Sequence, residues 1–312
     1  MTVVVKVGGA RAVDPEGALA DVAQLVADGE DVVVVHGGST KVDDTLERIG
    51  IEPEYVETPS GVVGRFTDEE TMEVFEMAFG HLNTQLVAGL QSQGVDAVGL
   101  NGVDGKLLAG PRKSAVRVLE DGKRKIKRGD HSGSIEEVNE KLLYTLLDDG
   151  YTPVAGPPMA GREERSAPEN ASSAERSSAN SRAAKPRDDG DGQEPRAEWL
   201  PVNTDADRSA AAIAGALDAT LVLLTDVAGV YADPDDPETL IESAETDEEW
   251  NALQDAAEGF MERKVMAVEE ALGEGAPEVV IADANAEEPI SAALEGSGTH
   301  VMETAIETED KS

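Results

Sequence analysis

Two glycine-rich turns, each closing a run of valines, hold the residues of this chain best suited to an anion. Lys6-Val7-Gly8-Gly9-Ala10 ends the first run and Val35-His36-Gly37-Gly38-Ser39 ends the second. Glycine lets the backbone turn sharply and bring its N–H groups around a negative charge, and Lys6 adds a full positive charge. Either turn alone is also compatible with a plain tight connection. The Gly-x-x-x-x-Gly-Lys-Ser/Thr spacing of a Walker A loop is absent. Side by side at the carboxyl edge of one sheet, however, the two turns would form one wall of a ligand site, because open α/β sheets bind ligands at that edge.

Other groups are more ambiguous by themselves. Arg65 could pair with a surface acid, or its planar guanidinium could bind a carboxylate bidentately. Asn203-Thr204-Asp205-Ala206-Asp207 could be an N-cap with acidic first-turn residues. The chain has no cysteine, which excludes disulfides and thiolate metal sites, and its four histidines (His36, His81, His131, His300) lack ligand spacing.

The elements that must position these groups follow from the pattern of apolar residues. Val3 to Val7, a helix from Asp14 to Asp28, Asp31 to His36, helices starting at Thr40 and Asp68, and Ala97 to Leu100 form a first series. Near-continuous valine runs suit strands buried on both faces of a parallel sheet, which predicts an α/β sandwich. Met72, Phe75, Met77 and Phe79 read as core residues of the helix that Thr67-Asp68-Glu69-Glu70 opens. A second series comprises Thr152 to Ala155, a helix from Asp205 to Leu217, Thr220 to Leu224, a helix from Met261 to Leu272, and Glu278 to Ala282. Between them, 161–198 is an acidic and polar stretch with almost no large apolar residue. It is expected to be a disordered surface insertion, since it cannot bury enough apolar area to offset chain entropy.

Sixty-four acidic residues against 26 basic ones give a formal charge of −38. That balance argues against a nucleic-acid partner and suits a solvated surface at high salt, where repulsion between carboxylates is screened, so a halophilic source is expected. The start has no signal-peptide pattern, and no run approaches the ~20 apolar residues of a membrane span, so a soluble cytoplasmic protein is expected.

In combination the two glycine turns resemble those of the amino-acid kinase family, whose members transfer the γ-phosphate of ATP to a carboxylate, carbamate or nucleotide phosphate. The resemblance extends through most of the chain outside the polar stretch. It implies a three-layer αβα sandwich around a mainly parallel sheet, the amino-acid kinase or carbamate kinase-like fold. Residues 1–160 would form an acceptor-binding lobe and 199–312 an ATP-binding lobe. Gly64-Arg65-Phe66-Thr67-Asp68 with Glu70-Thr71-Met72-Glu73-Val74 is similar to the substrate loop and following helix of the acetylglutamate kinase branch, which assigns Arg65 to the substrate's α-carboxylate. Asn203 to Asp207 resembles the family's Asn-x-(Asn/Asp)-x-Asp segment. By that resemblance Asn203 meets the substrate and Asp207 orients two catalytic lysines. Leu223-Leu224-Thr225-Asp226-Val227-Ala228-Gly229-Val230-Tyr231 is similar to the nucleotide-site strand and loop, implying nucleotide contacts at Thr225, Asp226 and Tyr231.

Gly259-Phe260-Met261-Glu262-Arg263-Lys264 resembles the family's Gly-Gly-Met-x-x-Lys, with Phe260 in place of a glycine. Lys264 would then meet the phosphates opposite Lys6. The amides of Gly8, Gly9, Gly37 and Gly38 would line them, and Gly37 and Gly38 would also border the acceptor. The implied cofactors are ATP and Mg²⁺, with no metal site of the protein's own.

Pro59-Ser60-Gly61, Gly64 to Thr67 and Phe75-Glu76-Met77-Ala78-Phe79-Gly80 resemble most a sister group, the LysW-aminoadipate and LysW-glutamate kinases. These act on an amino acid attached to a small acidic carrier protein, LysW, in lysine and arginine biosynthesis. Charge agrees with that resemblance. Between Gly105 and Gly129, nine basic residues face two acidic ones. Five of the nine, Lys123, Arg124, Lys125, Lys127 and Arg128, follow a hairpin turn expected at Glu120-Asp121-Gly122. An acidic carrier explains such a segment, with ordinary surface charge or a nucleic-acid patch as the competing accounts. Free N-acetylglutamate as acceptor, or an inactive kinase-fold regulatory module, are the remaining alternatives. A homodimer is expected from the resemblance, since the chain lacks the amino-terminal helix with which some relatives build hexamers.

Overall fold

Val3, Val4 and Val5, and Val32 to Val35, are almost completely buried, because both faces of the strands that carry them are covered. The computed structural model describes residues 1–8, 15–59, 61, 63–120, 122–163, 198–257 and 260–306. In chain order these form β1 (Thr2–Val7), α1 (Pro15–Ala27), β2 (Asp31–His36), α2 (Ser39–Ile49), β3 (Tyr55–Glu57), β4 (Val63–Arg65), α3 (Glu69–Ser92), β5 (Ala97–Gly99), β6 (Leu108–Glu120), β7 (Lys123–Gly133), β8 (Glu137–Val138) and α4 (Glu140–Asp148). There follow β9 (Thr152–Ala155), β10 (Met159–Glu163), β11 (Glu198–Val202), α5 (Ala206–Ala216), β12 (Thr220–Thr225), β13 (Ser243–Ala244), α6 (Asp247–Ala256), α7 (Phe260–Glu274), β14 (Glu278–Asp283), α8 (Pro289–Leu294) and β15 (Thr299–Met302).

The main sheet has eight strands in the order β13-β15-β14-β12-β1-β2-β9-β5. Its central strands are parallel, and β15 pairs antiparallel to β14. Alternate side chains enter two separate cores. Val4, Val33, Val35, Leu221 and Leu223 pack with α4, α5 and α7 residues such as Leu143, Ile213 and Val268. Val3, Val5, Val32, Val34 and Val222 pack with Ala18, Val22, Leu90 and Ile290 of α1, α3 and α8. This is the three-layer αβα sandwich. The sheet runs unbroken across the two expected lobes, since β1 pairs directly with β12. A Cβ on Gly215 would lie 2.5 Å from the Cβ of Glu274, so glycine there permits the close approach of α5 and α7.

A second sheet, β11-β10-β6-β7 with β8 on β6, stands beside the first. Its long arm is the antiparallel β6/β7 hairpin, in which Glu120 pairs with Lys123 across the expected turn. Two sequence expectations need correction. The stretch from Gly161 to Glu198 is narrower as an insertion: Gly161, Arg162 and Glu163 pair with Leu200, Trp199 and Glu198, while 164–197 lie outside the described residues. Met77 is 61% exposed, whereas Met72, Phe75 and Phe79 are buried. The helical period turns Met77 to the face opposite its two phenylalanine neighbours.

Candidate active site

Lys6 ends β1 one residue before its last, Asp207 lies in the first turn of α5, and Lys264 lies in the second turn of α7. The fold brings these three distant residues together. The Lys6 Nζ is 2.6 Å from Asp207 Oδ1, and the Lys264 Nζ is 3.5 Å from Asp207 Oδ2. Asp205, not Asp207, caps the helix, accepting the N–H groups of Asp207 (2.9 Å) and Arg208 (3.2 Å). That leaves the Asp207 carboxylate to the lysines, so the capping and the ion-pairing readings of this segment both hold, on different residues.

All three side chains are nearly buried, at 8%, 12% and 13% exposure for Lys6, Asp207 and Lys264. Burial would raise the Asp207 pKa, but the charges of Lys6 and then Lys264 overcome it and hold the carboxyl below its usual value. The Lys264 ammonium is pushed down by burial and by Lys6, more than Asp207 restores. Two cations sharing one anion leave a net positive charge at the carboxyl edge of the sheet, an electrostatic trap for a polyanion.

The strand ends that lead into the two glycine turns lie side by side, because β1 and β2 are adjacent and parallel, with Val7 opposite His36. Their glycines have different tasks. The Gly37 N–H donates to the Val7 carbonyl (3.2 Å), tying the two strand ends together. Gly38 has an extended φ of −172°. Its need for glycine is steric: a Cβ would lie 2.8 Å from Leu82 Cδ1 and 2.9 Å from Phe79 Cε2. Gly8 directly follows β1, and Gly9 lies outside the described residues. His36 is buried under Phe79, accepts from the Asn83 amide through Nε2 (3.2 Å) and donates from Nδ1 to the Gly37 carbonyl (3.2 Å). Burial pushes its pKa down to about 4, so it is a neutral wedge and not an acid or base.

The residues expected on the acceptor side, Arg65 and Asn203, are held in hydrogen-bond chains. Arg65 stands opposite Tyr55 in the β3/β4 hairpin. It donates from Nη2 to Asp43 Oδ1 (2.7 Å), the Ser39 carbonyl (3.0 Å) and the Tyr55 hydroxyl (3.0 Å), which anchors it beside the second glycine turn. The Asn203 Nδ2 donates to Thr67 Oγ1 (2.9 Å), and the Thr67 N–H donates to Asp130 Oδ1 (3.2 Å). Asp130 is 3% exposed and also accepts from the Ser132 hydroxyl. Thr67 and Asp130 were not singled out in the sequence. A lone buried aspartate at the root of a lysine- and arginine-rich strand was the available signal.

The sequence profile of the amino acid kinase family matches residues 1–180 and 186–283. The chain belongs to the amino acid kinase family. The LysW-aminoadipate kinase of Thermus thermophilus is 38% identical to it over 305 residues, covering 96% of this chain and 99% of that one. The acetylglutamate kinase of Methanopyrus kandleri is 37% identical over 302 residues, again covering 96% and 99%. The solved structure of N-acetylglutamate synthase from Neisseria gonorrhoeae, complexed with coenzyme A and N-acetyl-glutamate, shares the fold with a TM-score of 0.67 at 21% identity over 96% of this chain. This chain spans 59% of that longer protein.

On this amino acid kinase scaffold Thr225 ends β12, two residues beyond the partner of Lys6 in the sheet register, and so occupies the same carboxyl edge. Its hydroxyl donates to Asp226 Oδ1 (3.2 Å), while Tyr231 bridges to Leu240. The basic residues of β7 are not equivalent. Lys123, Arg124 and Arg128 are exposed. Lys125 pairs with Glu120 at 2.5 Å, and Lys127 pairs with Glu54 and stacks 4.0 Å over the Phe66 ring. Arg117, Arg124, Lys125, Ile126 and Pro59 line a cavity of about 520 Å³ between this hairpin and the loop after β3. Among the described residues no three acidic or histidine side chains converge as a metal site, and no helix is long and apolar enough to cross a membrane.

Proposed function

We propose that this kinase uses ATP to phosphorylate the side-chain carboxylate of glutamate or aminoadipate carried on LysW, giving an acyl phosphate in arginine or lysine biosynthesis. The observation that carries the reading is the buried Lys6–Asp207–Lys264 cluster. A glutamate-like carboxylate has an ordinary pKa of ~4.3, so it is ionised at neutral pH and attacks phosphorus without a general base. What remains for the protein is positioning and charge neutralisation. Lys6 and Lys264 would hold the transferring phosphoryl group from opposite sides, with Asp207 fixing both ammonium groups. Lys6 at the end of β1 faces the acceptor lobe, and Lys264 on α7 the nucleotide lobe with Thr225, Asp226 and Tyr231. Gly8, Gly9 and Gly38 would border the phosphates and acceptor. Arg65 and Asn203 would take the acceptor's polar groups.

Mg²⁺, when bound, neutralises phosphate charge. With no convergent acidic set among the described residues, it would travel on the nucleotide. The exposed Lys123, Arg124, Lys125 and Arg128, with half-buried Lys127, would dock the acidic carrier through close ion pairs. At the high salt that a charge of −38 suits, long-range steering is screened. The same reading makes the enzyme cytoplasmic and homodimeric, on resemblance alone, with neither nucleic acid nor membrane among its partners.

The test is a phosphorylation assay with ATP, Mg²⁺ and either carrier-linked aminoadipate, carrier-linked glutamate or free N-acetylglutamate. Turnover of a carrier-linked acceptor, abolished by Lys6→Ala, is expected. Unchanged turnover in Lys6→Ala would sink the mechanism. Free N-acetylglutamate is a second reading, favoured by the likeness to an acetylglutamate kinase. Efficient turnover without a carrier, indifferent to loss of the β7 charges, would establish it. A regulatory module without activity is disfavoured because both lysines and their shared aspartate stand assembled.

A further inference from the structure

Arg65 is a cation of the proposed acceptor side whose surroundings are incomplete. Its side chain is 6% exposed, yet its Nε is buried with no hydrogen-bond partner among the described residues. A buried donor without a partner is costly unless a ligand supplies the acceptor. The opposite situation holds at Nη2, where three acceptors crowd two N–H groups: Asp43 Oδ1, the Ser39 carbonyl and the Tyr55 hydroxyl. Tyr55 closes a triangle, because its hydroxyl accepts from Arg65 and donates to Asp43 Oδ2 at 2.8 Å. Its ring also lies 5.6 Å from the guanidinium carbon. One end of a planar group is thus fixed by three contacts while another donor is left unmatched.

We propose that Asp43 and Tyr55 are positioning residues for Arg65, fixing its Nη2 so that Nε is presented to a carboxylate of the acceptor. The inference rests on the assignment of Arg65 to the acceptor made above. Neither residue need touch the acceptor itself. The rigid plane of a guanidinium transmits the constraint from one nitrogen to the other. Tyr55 is 51% exposed, so its hydroxyl has little to contribute to the core, and the triangle is its evident task. Asp43 comes from α2, the helix that begins at the second glycine turn, so the same helix start sets the place of Gly38 and of Arg65.

The experiment measures steady-state kinetics of Asp43→Asn, Tyr55→Phe and Arg65→Lys in the full-length enzyme, with the acceptor that the wild type turns over. Loss of a hydrogen bond to a charged group predicts a rise of about tenfold in acceptor KM for Asp43→Asn and Tyr55→Phe. KM for ATP and kcat should stay within about twofold, and Asp43→Glu should recover part of the loss. Arg65→Lys should raise acceptor KM further. Because Tyr55→Phe removes only a surface hydroxyl, it tests the idea even if Asp43→Asn lowers stability. Wild-type acceptor KM in both Asp43→Asn and Tyr55→Phe, alongside a raised value in Arg65→Lys, would overturn this inference alone. An unchanged KM in Arg65→Lys would overturn both it and the assignment of Arg65.

Discussion

Lys6, Asp207 and Lys264 stand on β1, α5 and α7, elements packed into the sheet's cores, whereas Arg65 stands on a short strand, Asn203 just past the end of β11, and the basic residues of β7 on a long hairpin. The cluster proposed to hold the phosphates is held by packing and by one shared charge. The residues proposed for the acceptor are held by hydrogen-bond relays, such as Asn203 to Thr67 to Asp130. A transferring phosphoryl group is the same in every turnover and suits a fixed cradle. An acceptor is the part that differs between related enzymes, and contacts made one bond at a time can be exchanged without disturbing the core.

That contrast can be broken most severely at Asp207. Asp207→Ala leaves two lysines facing each other in a nearly buried site, so about 3–5 kcal/mol of stability should be lost along with turnover. Arg65→Lys, by contrast, should leave stability within about 1 kcal/mol. Denaturant unfolding and turnover of the two variants decide it; equal stability losses would erase the distinction.

His36 lies between the sides and tests it through pH. Its folded pKa of about 4 is below its unfolded value of 6.5. The unfolded chain therefore takes up the proton first, and stability is complete above about pH 6.5 and is lost as pH falls toward about 4, by roughly 3 kcal/mol. His36→Gln, which cannot ionise, should flatten the unfolding free energy over that window. An unaltered slope would show that His36 is not the group being titrated.

The smallest effect belongs to the hairpin. Arg124→Ala with Arg128→Ala should raise KM for a carrier-linked acceptor several-fold and leave KM for ATP and the melting temperature unchanged. Lys127→Ala should additionally lower stability by about 0.5–1 kcal/mol, because it removes a contact with Phe66. If Arg124→Ala with Arg128→Ala lowered the melting temperature as much, the hairpin would belong to the scaffold and not to the acceptor side.

Much of the phosphate side was legible in the sequence because strand burial, glycine turns and helix starts are written in local pattern. The valine runs marked both central strands, and Asp205 to Asp207 marked the start of α5. The second sheet was only partly legible. Arg162 and Glu163 look like loop residues until Trp199 and Glu198 are placed across from them. The bond from the Gly37 N–H to the Val7 carbonyl was not legible for the same reason, since no local pattern reveals a partner on the neighbouring strand. The Asp43–Tyr55–Arg65 triangle joins three elements, so spacing along the chain carried no trace of it.

The regularly paired part of β7 sets a length scale. From Lys123 beside the turn to Arg128, β7 pairs residue for residue with β6 over five steps, about 17 Å at the usual rise, before the register shifts across 129–131. A strand paired along β6 cannot easily shorten, so this stretch keeps the charges from Lys123 to Arg128 at fixed spacings from one another. On the proposed reading, an acidic carrier gripped along this stretch would meet charges spaced by the rise of the strand itself.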